Sequence, residues 1–567
     1  MQKLSKIFKI LSSDQKKKFY IISLLLFILT ILEILGIGLI FPIISFLLNP
    51  GKVDEIINNY SQLNFLTKYD YSIIIISLMV VTGLFYFFKL IISILINFYK
   101  SKISYSLIAS LNETMYNGYI NQPLSFSVKK NSSYIIRYII DYPSIFVNRV
   151  LLGVFTITFE TIFVLATFII FLKVNFQIGI SIFIICSFFI LIFFNVNKSS
   201  LKSQGKSLNE KMSERLKITR ESLDGIRDLR IFNKKNFFKR IFDEHNYRIV
   251  SLTSLLEIKT ILPRLLLEFF TILFILSSIS YLLLMKNNIN EVIPVITVIA
   301  AGMTKVIPSV SKIVSFLSGI FVSTKVIDEM FLETEKFKKI IINKDTTYNF
   351  YKEIKFNNVS YDYDENLIFN DINFIINKNM IFGLKGKSGS GKTTCLNLLS
   401  GFLNTKTGSI TVDGKDIREN VSNWQTLIGY IPQKIFLIDD TIKQNICFGI
   451  ENENEINIKN LENVSNLAEL NNFINFPNDL EKNVGENGSS LSIGQIQRIG
   501  LARALYKNPE ILILDETLNA LDKDTQKSIL NNLVKLKKNL TIIIVSHDEN
   551  VLSMCSKVYN LENKSYN

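Results

Sequence analysis

Histidine and cysteine are scarce in this chain: two histidines, His245 and His547, and four cysteines, Cys186, Cys395, Cys447 and Cys555, in 567 residues. The cysteines lie far apart and make no C-x-x-C pair, which excludes a cysteine-built zinc site and a disulfide framework. They read as reduced thiols. Two distant histidines leave no histidine-based metal centre. Proline is sparse, at ten, and charged residues make up only 20%. Hydrophobic residues reach 48%, phenylalanine alone contributes 44, and the mean hydropathy is +0.28. That content excludes a disordered chain and exceeds what a soluble protein needs, so part of the chain is expected to lie in a membrane. Lys and Arg outnumber Asp and Glu by 63 to 49, a formal charge of +14. Nucleic acid, anionic lipid and the loops of a membrane protein could each account for the excess, and its location decides.

Apolar stretches of bilayer-crossing length, about 20 residues, occur near 19–48, 71–98, 145–172, 174–194, 262–284 and 292–322, which predicts six spans. Lys3, Lys6, Lys9, Lys16, Lys17 and Lys18 before the first imitate a secretory signal. The apolar run that follows is too long for a signal and lacks a small-residue cleavage site, so a retained span is expected. The 99–144 connection holds Lys100, Lys102, Lys129, Lys130 and Arg137, and the 195–261 connection fifteen more. The alternate connections hold only Lys52 and Lys68, Lys173, and Lys286. That asymmetry places both termini in the cytoplasm. The excess charge therefore lies beside the membrane, and a nucleic-acid partner is not expected. Leu223, Ile226, Leu229, Arg230 and Ile231 form a helix-like stripe around Gly225 in the second long basic loop, so the membrane helices are expected to continue past the bilayer.

From about 354, short β-rich runs such as Met380–Leu384 and Ile511–Leu514 alternate with helical segments, the pattern of an α/β domain. The expected division is a membrane α-helical domain of six transmembrane helices at 1–322, a linker at 323–353, and an α/β P-loop ATPase domain at 354–567. Gly386-Lys387-Ser388-Gly389-Ser390-Gly391-Lys392-Thr393, followed by Thr394, satisfies G-x-x-x-x-G-K-[ST] between an apolar strand and a helix. Glycines there let backbone N–H groups curl around phosphate at a helix N-terminus. Lys392 would reach the β- and γ-phosphates of ATP, and the Thr393 hydroxyl would ligate Mg²⁺. The plain alternative is a glycine-rich turn. Ile511–Leu514 runs into Asp515 and Glu516, where Asp515 would hold Mg²⁺ and Glu516 polarise the attacking water; an acidic strand end without chemistry is the alternative.

With these elements the sequence resembles an ABC transporter ATPase over 354–567, and further markers follow in that family's order. Leu491-Ser492-Ile493-Gly494-Gln495 resembles the signature motif, with Ile493 where glycine is usual. The resemblance implies that the Ser492 hydroxyl and the Gly494 N–H face the γ-phosphate, with Gln495 in the same nucleotide-binding set. Gln433 in Tyr430-Ile431-Pro432-Gln433 resembles the residue that senses Mg²⁺ and the attacking water. His547 resembles the switch histidine at the γ-phosphate, and a structural histidine at a strand end is its alternative. Asn519-Ala520-Leu521-Asp522 resembles the D-loop with Asn519 in place of serine, and Tyr363 the aromatic that stacks on adenine. Trp424 reads as core and His245 as a solvated surface residue. The family pairs two such domains head to tail, and this chain holds one of each element. The resemblance therefore implies an exporter-type half-transporter that works as a homodimer, or as a heterodimer with a sister half-transporter; intact Glu516, Gln433 and His547 favour the first. Tyr119–Pro123 and Leu223–Ile231 are candidate segments for coupling the ATPase to the spans, with plain helix surface as the alternative.

Charges at membrane depth are costly and are functional suspects. Glu33, Lys89, Glu160, Arg264, Glu268, Lys305 and Lys312 lie in the spans. The four basic residues would attract an anionic head group such as phosphate or pyrophosphate, unless they pair internally with the three glutamates or snorkel to the span ends. Leu32–Pro42, Pro263-Arg264 with Glu268, and Lys305 with Pro308 resemble bacterial flippases for lipid-linked oligosaccharides, which carry basic cavity residues where Lys89, Arg264, Lys305 and Lys312 stand. Lysine replaces arginine at three of them. The resemblance implies ATP-driven flipping or export of a polyprenyl-pyrophosphate-linked oligosaccharide or related anionic glycolipid across the bacterial inner membrane. An exporter of peptides or drugs is the second reading; the absence of a protease domain before the first span disfavours the processing class. A membrane sensor that transports nothing is the third.

Overall fold

The computed structural model describes residues 2–48, 70–123, 131–174, 176–284, 289–337, 347–363, 366–519 and 521–566. Lys52, Lys68, Lys129, Lys130, Lys286, Ala520 and the 338–346 part of the expected linker lie outside the described residues, as do the side chains of Pro42 and Tyr363. The chain divides into two compact units, Met1–Gln122 with Lys129–Ile340 and Pro123–Val128 with Ile341–Asn567.

In the first unit six helices among the described residues are long and apolar enough to cross a membrane. They belong to the helices Ser13–Leu48, Tyr71–Ile120, Ser132–Val174, Phe176–Asp224, Lys235–Leu284 and Ile289–Val322, the third passing through a π-helical turn at Phe146–Leu151. Pro143 precedes that turn, where a ring without an N–H disturbs the regular ladder. Tyr71–Ile120 has 50 residues. At 1.5 Å per residue it is about 75 Å long, more than twice the hydrocarbon thickness, so the spans extend well beyond the apolar layer as the periodicity predicted. Phe87, Phe88, Leu90, Leu95 and Phe98 are exposed on it, the outward apolar face that a hydrocarbon solvent favours. The helices pack on one another through Phe163, Phe168, Phe171, Val306, Val310 and Val314. Gly205 permits a close approach of two backbones: a Cβ there would come within 2.3 Å of the Val322 carbonyl.

The stretch read as linker contains a helix, Thr324–Phe337. It is held to the rest of the unit by the Tyr119 hydroxyl donating to Glu333 at 2.9 Å and the Tyr142 hydroxyl donating to Glu329 at 2.6 Å. Tyr119 is thus turned inward. Gly225 interrupts the other expected coupling segment, and a short helix with no buried residue follows at Ile226–Ile231.

The second unit holds strands β1 (Glu353–Tyr363), β2 (Asn366–Asn377), β3 (Ile381–Lys385), β4 (Thr407–Val412), β5 (Lys415–Asp416), β6 (Ile428–Ile431), β7 (Ile511–Asp515), β8 (Thr541–Val545), β9 (Lys557–Asn560) and β10 (Ser565–Tyr566). One antiparallel sheet has the order β2-β1-β4-β5 and a second sheet the order β10-β9-β3-β8-β7-β6. Strands β9, β3, β8, β7 and β6 are parallel. β7 and β8 are buried at every residue, which is why they read as continuous apolar runs. Trp424 is fully buried, and its indole N–H donates to the Leu399 carbonyl at 2.7 Å. The four cysteines are free thiols. His245 is not freely solvated: its side chain is 17% exposed and its Nδ1 lies 3.2 Å from Glu214, because two adjacent helix extensions pack at that point.

Candidate functional site

Parallel pairing builds the site. Leu384 lies opposite Val545, Val545 opposite Asp515, and Leu514 opposite Ile431. The C-terminal ends of β3, β8, β7 and β6 therefore form one row, the edge at which α/β sheets bind ligands. The phosphate loop leaves β3, His547 follows β8, Asp515 and Glu516 end β7, and Gln433 follows β6.

The loop turns through Gly389 and Gly391, with φ of +85° and +91°. Only glycine adopts these angles at little cost, and a Cβ on Gly391 would also come within 2.6 Å of Ile368. The helix Lys392–Leu399 starts there, presenting its first N–H groups to the loop. Lys392 is 5% exposed and curls back over the loop, donating to the Gly386 and Lys387 carbonyls at 2.9 Å each. Its ammonium is 2.9 Å from His547 Nε2 and 3.7 Å from Glu516.

Glu516 is the point of convergence. Oε1 lies 3.1 Å from His547 Nε2, and Oε2 accepts from the Gln433 amide at 3.2 Å. Its backbone is left-handed, with φ of +54°, a strained conformation that favours a functional explanation in a non-glycine residue. Asp515 beside it is 2% exposed, accepts a hydrogen bond from the Tyr430 hydroxyl at 3.4 Å and lies close to the Thr393 hydroxyl. Burial holds the Asp515 carboxyl above the usual carboxylate range, with the Glu516 charge adding and Thr393 opposing. Burial and the nearby Asp515 in turn push the Tyr430 hydroxyl up.

This arrangement fits a nucleotide phosphate with Mg²⁺. Ser390 Oγ is buried in the loop without a hydrogen-bond partner, and Thr393, Asp515 and Gln433 supply the oxygen donors a hard cation takes. The side chains of Ser388 and Thr394 make no hydrogen bond among the described residues.

Ser492 caps the helix Ile493–Tyr506 and exchanges hydrogen bonds with Gln495, a capping box. Ile493 is 69% exposed, so replacing the usual glycine inserts nothing into the domain. No hydrogen bond or ion pair among the described residues joins Ser492, Gly494 or Gln495 to the phosphate loop of the same chain. The helix is anchored by Arg503, which donates to the Asn445 and Phe436 carbonyls at 2.7 Å each and to Asn445 Oδ1 at 2.8 Å.

Two residues of the site were not singled out from the sequence. Tyr430 stands in the same run as Gln433. Glu562 lies in a tail without a motif, where the pairing of β9 with β3 brings it to the phosphate loop. Its Oε1 accepts from the Lys387 backbone N–H at 2.5 Å, and its Oε2 is 3.8 Å from Lys387 Nζ.

At membrane depth the four basic residues separate into two kinds. Lys312 is paired with Glu160 at 2.5 Å and Arg264 with Glu268 at 2.9 Å. Lys89 sits 5.3 Å from the Tyr86 ring, whose hydroxyl donates to the Gly36 carbonyl at 3.0 Å, and it lies within electrostatic reach of Glu33 and Lys305. Lys305 is exposed and has no ion pair among the described residues.

The family model of the ABC transporter transmembrane region matches residues 19–306, and the ABC transporter model matches 369–519. Curated relatives named ATP-dependent lipid A-core flippase include one from Vibrio parahaemolyticus, 39% identical over 29% of this chain and 28% of its own length. Another, from Saccharophagus degradans, is 38% identical over 32% of this chain and 30% of its own. These alignments thus span less than a third of either relative's length. A solved bacterial Atm1-family ABC exporter with ATP bound superposes with a TM-score of 0.76 at 18% identity, covering 97% of this chain and 94% of the other.

Proposed function

The chain belongs to the ABC transporters, with a transmembrane region and an ATPase domain fused in one polypeptide, and we propose that it hydrolyses ATP to flip or export an anionic glycolipid across the bacterial cytoplasmic membrane. The observation behind this reading is the convergence of Lys392, His547 and Gln433 on Glu516 at the edge of the parallel sheet. Glu516 takes up the proton of the attacking water, Gln433 and His547 orient that water and the γ-phosphate, and Lys392 with the loop N–H groups stabilises the charge developing on the phosphates. Thr393, Asp515 and Gln433 would hold Mg²⁺, which would supply charge neutralisation for the phosphates. By the family resemblance, Tyr363 would be the residue that stacks on the adenine.

Ser492, Gly494 and Gln495 complete the site of a second copy, in a symmetric homodimer with two composite sites. Intact Glu516, Gln433 and His547 support two like subunits over a pair with a sister chain. The basic loops support a cytoplasmic location for both termini and the ATPase domain.

The relatives' name and the pair Lys89 and Lys305 support a glycolipid with an acidic head group, of which a polyprenyl-pyrophosphate-linked oligosaccharide is the finer reading. Arg264 and Lys312 have their charges matched by glutamates and serve the helices rather than the head group. ATPase rates in nanodiscs test this. A pyrophosphate-linked glycan or a lipid A-type glycolipid should stimulate the protein, and Lys89→Gln with Lys305→Gln should remove the stimulation. Undiminished stimulation in that double variant refutes the anionic site.

A further inference from the structure

One face of the helix Phe176–Asp224 changes character where it leaves the apolar layer. Phe188, Ile192 and Val196 are exposed along it. Ser199, Lys202, Ser203 and Lys206 then continue the same face, spaced three and four residues apart. These four line a groove of about 420 Å³ against Thr324 and Lys325 of the helix that follows the sixth span. Lys198, 5.7 Å from the Phe321 ring, lies one turn before Lys202.

The groove also contains Asp328 and Glu329, yet both acids are engaged. Asp328 is paired with Lys6 at 2.5 Å, and Glu329 accepts from Tyr142 and lies 3.8 Å from Lys325. Lys325 is itself 3.1 Å from Glu210. Lys202 and Lys206 are exposed and have no ion pair or hydrogen bond among the described residues, so the groove presents two unpaired ammonium groups beside the Ser199 and Ser203 hydroxyls, with Glu210 and Glu329 sharing the single charge of Lys325. Ammonium and hydroxyl donors together match a phosphate.

Depth identifies the source of that phosphate. Ser199 stands three residues and Lys206 ten residues past Val196, about 5 to 15 Å along the helix. The head-group layer begins at the hydrocarbon edge and is about 5 to 8 Å thick, within the reach of extended lysines. The exposed apolar strip before Ser199 takes an acyl chain, and the basic groove after it takes the charged end. We propose that this face is a binding site for an anionic phospholipid of the surrounding leaflet, with its phosphate between Lys202 and Lys206. The site is separate from Lys89 and Lys305 and depends only on the membrane spans, not on which substrate is moved.

Native mass spectrometry of the full-length protein in detergent tests it, with dioleoylphosphatidylglycerol, dioleoylphosphatidylcholine and soluble glycerol 3-phosphate as probes. Phosphatidylglycerol should bind more tightly than phosphatidylcholine. Lys202→Gln with Lys206→Gln should weaken phosphatidylglycerol about 25-fold, the product of about fivefold for each lysine near a membrane surface, and leave phosphatidylcholine as it was. Ser203→Glu should weaken phosphatidylglycerol by an independent route, through like-charge repulsion. Unaltered phosphatidylglycerol binding in the Lys202 and Lys206 double variant overturns the site. Glycerol 3-phosphate competing at the same concentration as the lipid overturns the membrane source.

Discussion

Glu516 Oε1 and His547 Nε2 stand 3.1 Å apart, although 30 intervening residues of chain are needed to bring them there. Their strands, β7 and β8, are parallel neighbours with Asp515 opposite Val545. The contact is therefore built into the sheet register rather than into a flexible loop, and it places a base and an imidazole at one edge beside Lys392.

His547→Ala should lower kcat by about 10²-fold or more, the scale of a lost proton-transfer or orienting group, while the Kd for ATP changes little. Steady-state ATPase assays with a separate nucleotide-binding titration would show this. An equal loss of affinity would assign His547 to ground-state binding.

Glu562 fixes the outer side of the phosphate loop through the Lys387 N–H. Glu562→Ala should raise the KM for ATP several-fold with kcat nearly unchanged, because it frees the loop without touching Glu516. Glu562→Gln keeps an accepting oxygen and should restore most of the affinity. A fall in kcat with an unchanged KM would contradict the positioning role.

Arg503 joins the signature helix to the segment that follows Gln433. Arg503→Met removes three charge-assisted hydrogen bonds and should destabilise the ATPase domain by ~2 kcal/mol, read from denaturant unfolding. Arg503→Lys keeps the charge but not the planar fork, and should recover little. Faster hydrogen exchange in the helix Ile493–Tyr506 should accompany both.

The ATPase half was legible from sequence because phosphate chemistry restricts residue types: Gly389 and Gly391 must adopt left-handed angles, Lys392 must open the helix that follows the loop, and Asp515 and Glu516 must stand at the end of a buried strand. The six spans were legible because a helix in hydrocarbon has no polar alternative. What stayed hidden depends on pairings across long separations. The ion pair of Lys312 with Glu160 joins residues 152 apart, and Glu562 reaches Lys387 only because β9 lies beside β3. Thr324–Phe337 read as linker since its mixed composition has no apolar run, and it becomes a helix through buried Val326, Ile327 and Met330 and the Tyr119 and Tyr142 bonds.

The account's central claim is that Glu516 is the base of an ATPase assembled on the parallel sheet edge. The most direct measurement is Mg²⁺-dependent ATP turnover by Glu516→Gln in the full-length protein in nanodiscs, with nucleotide retention followed in parallel. ATP should still bind, and hydrolysis should fall by about 10²-fold or more. Turnover at the wild-type rate in that variant would contradict the claim.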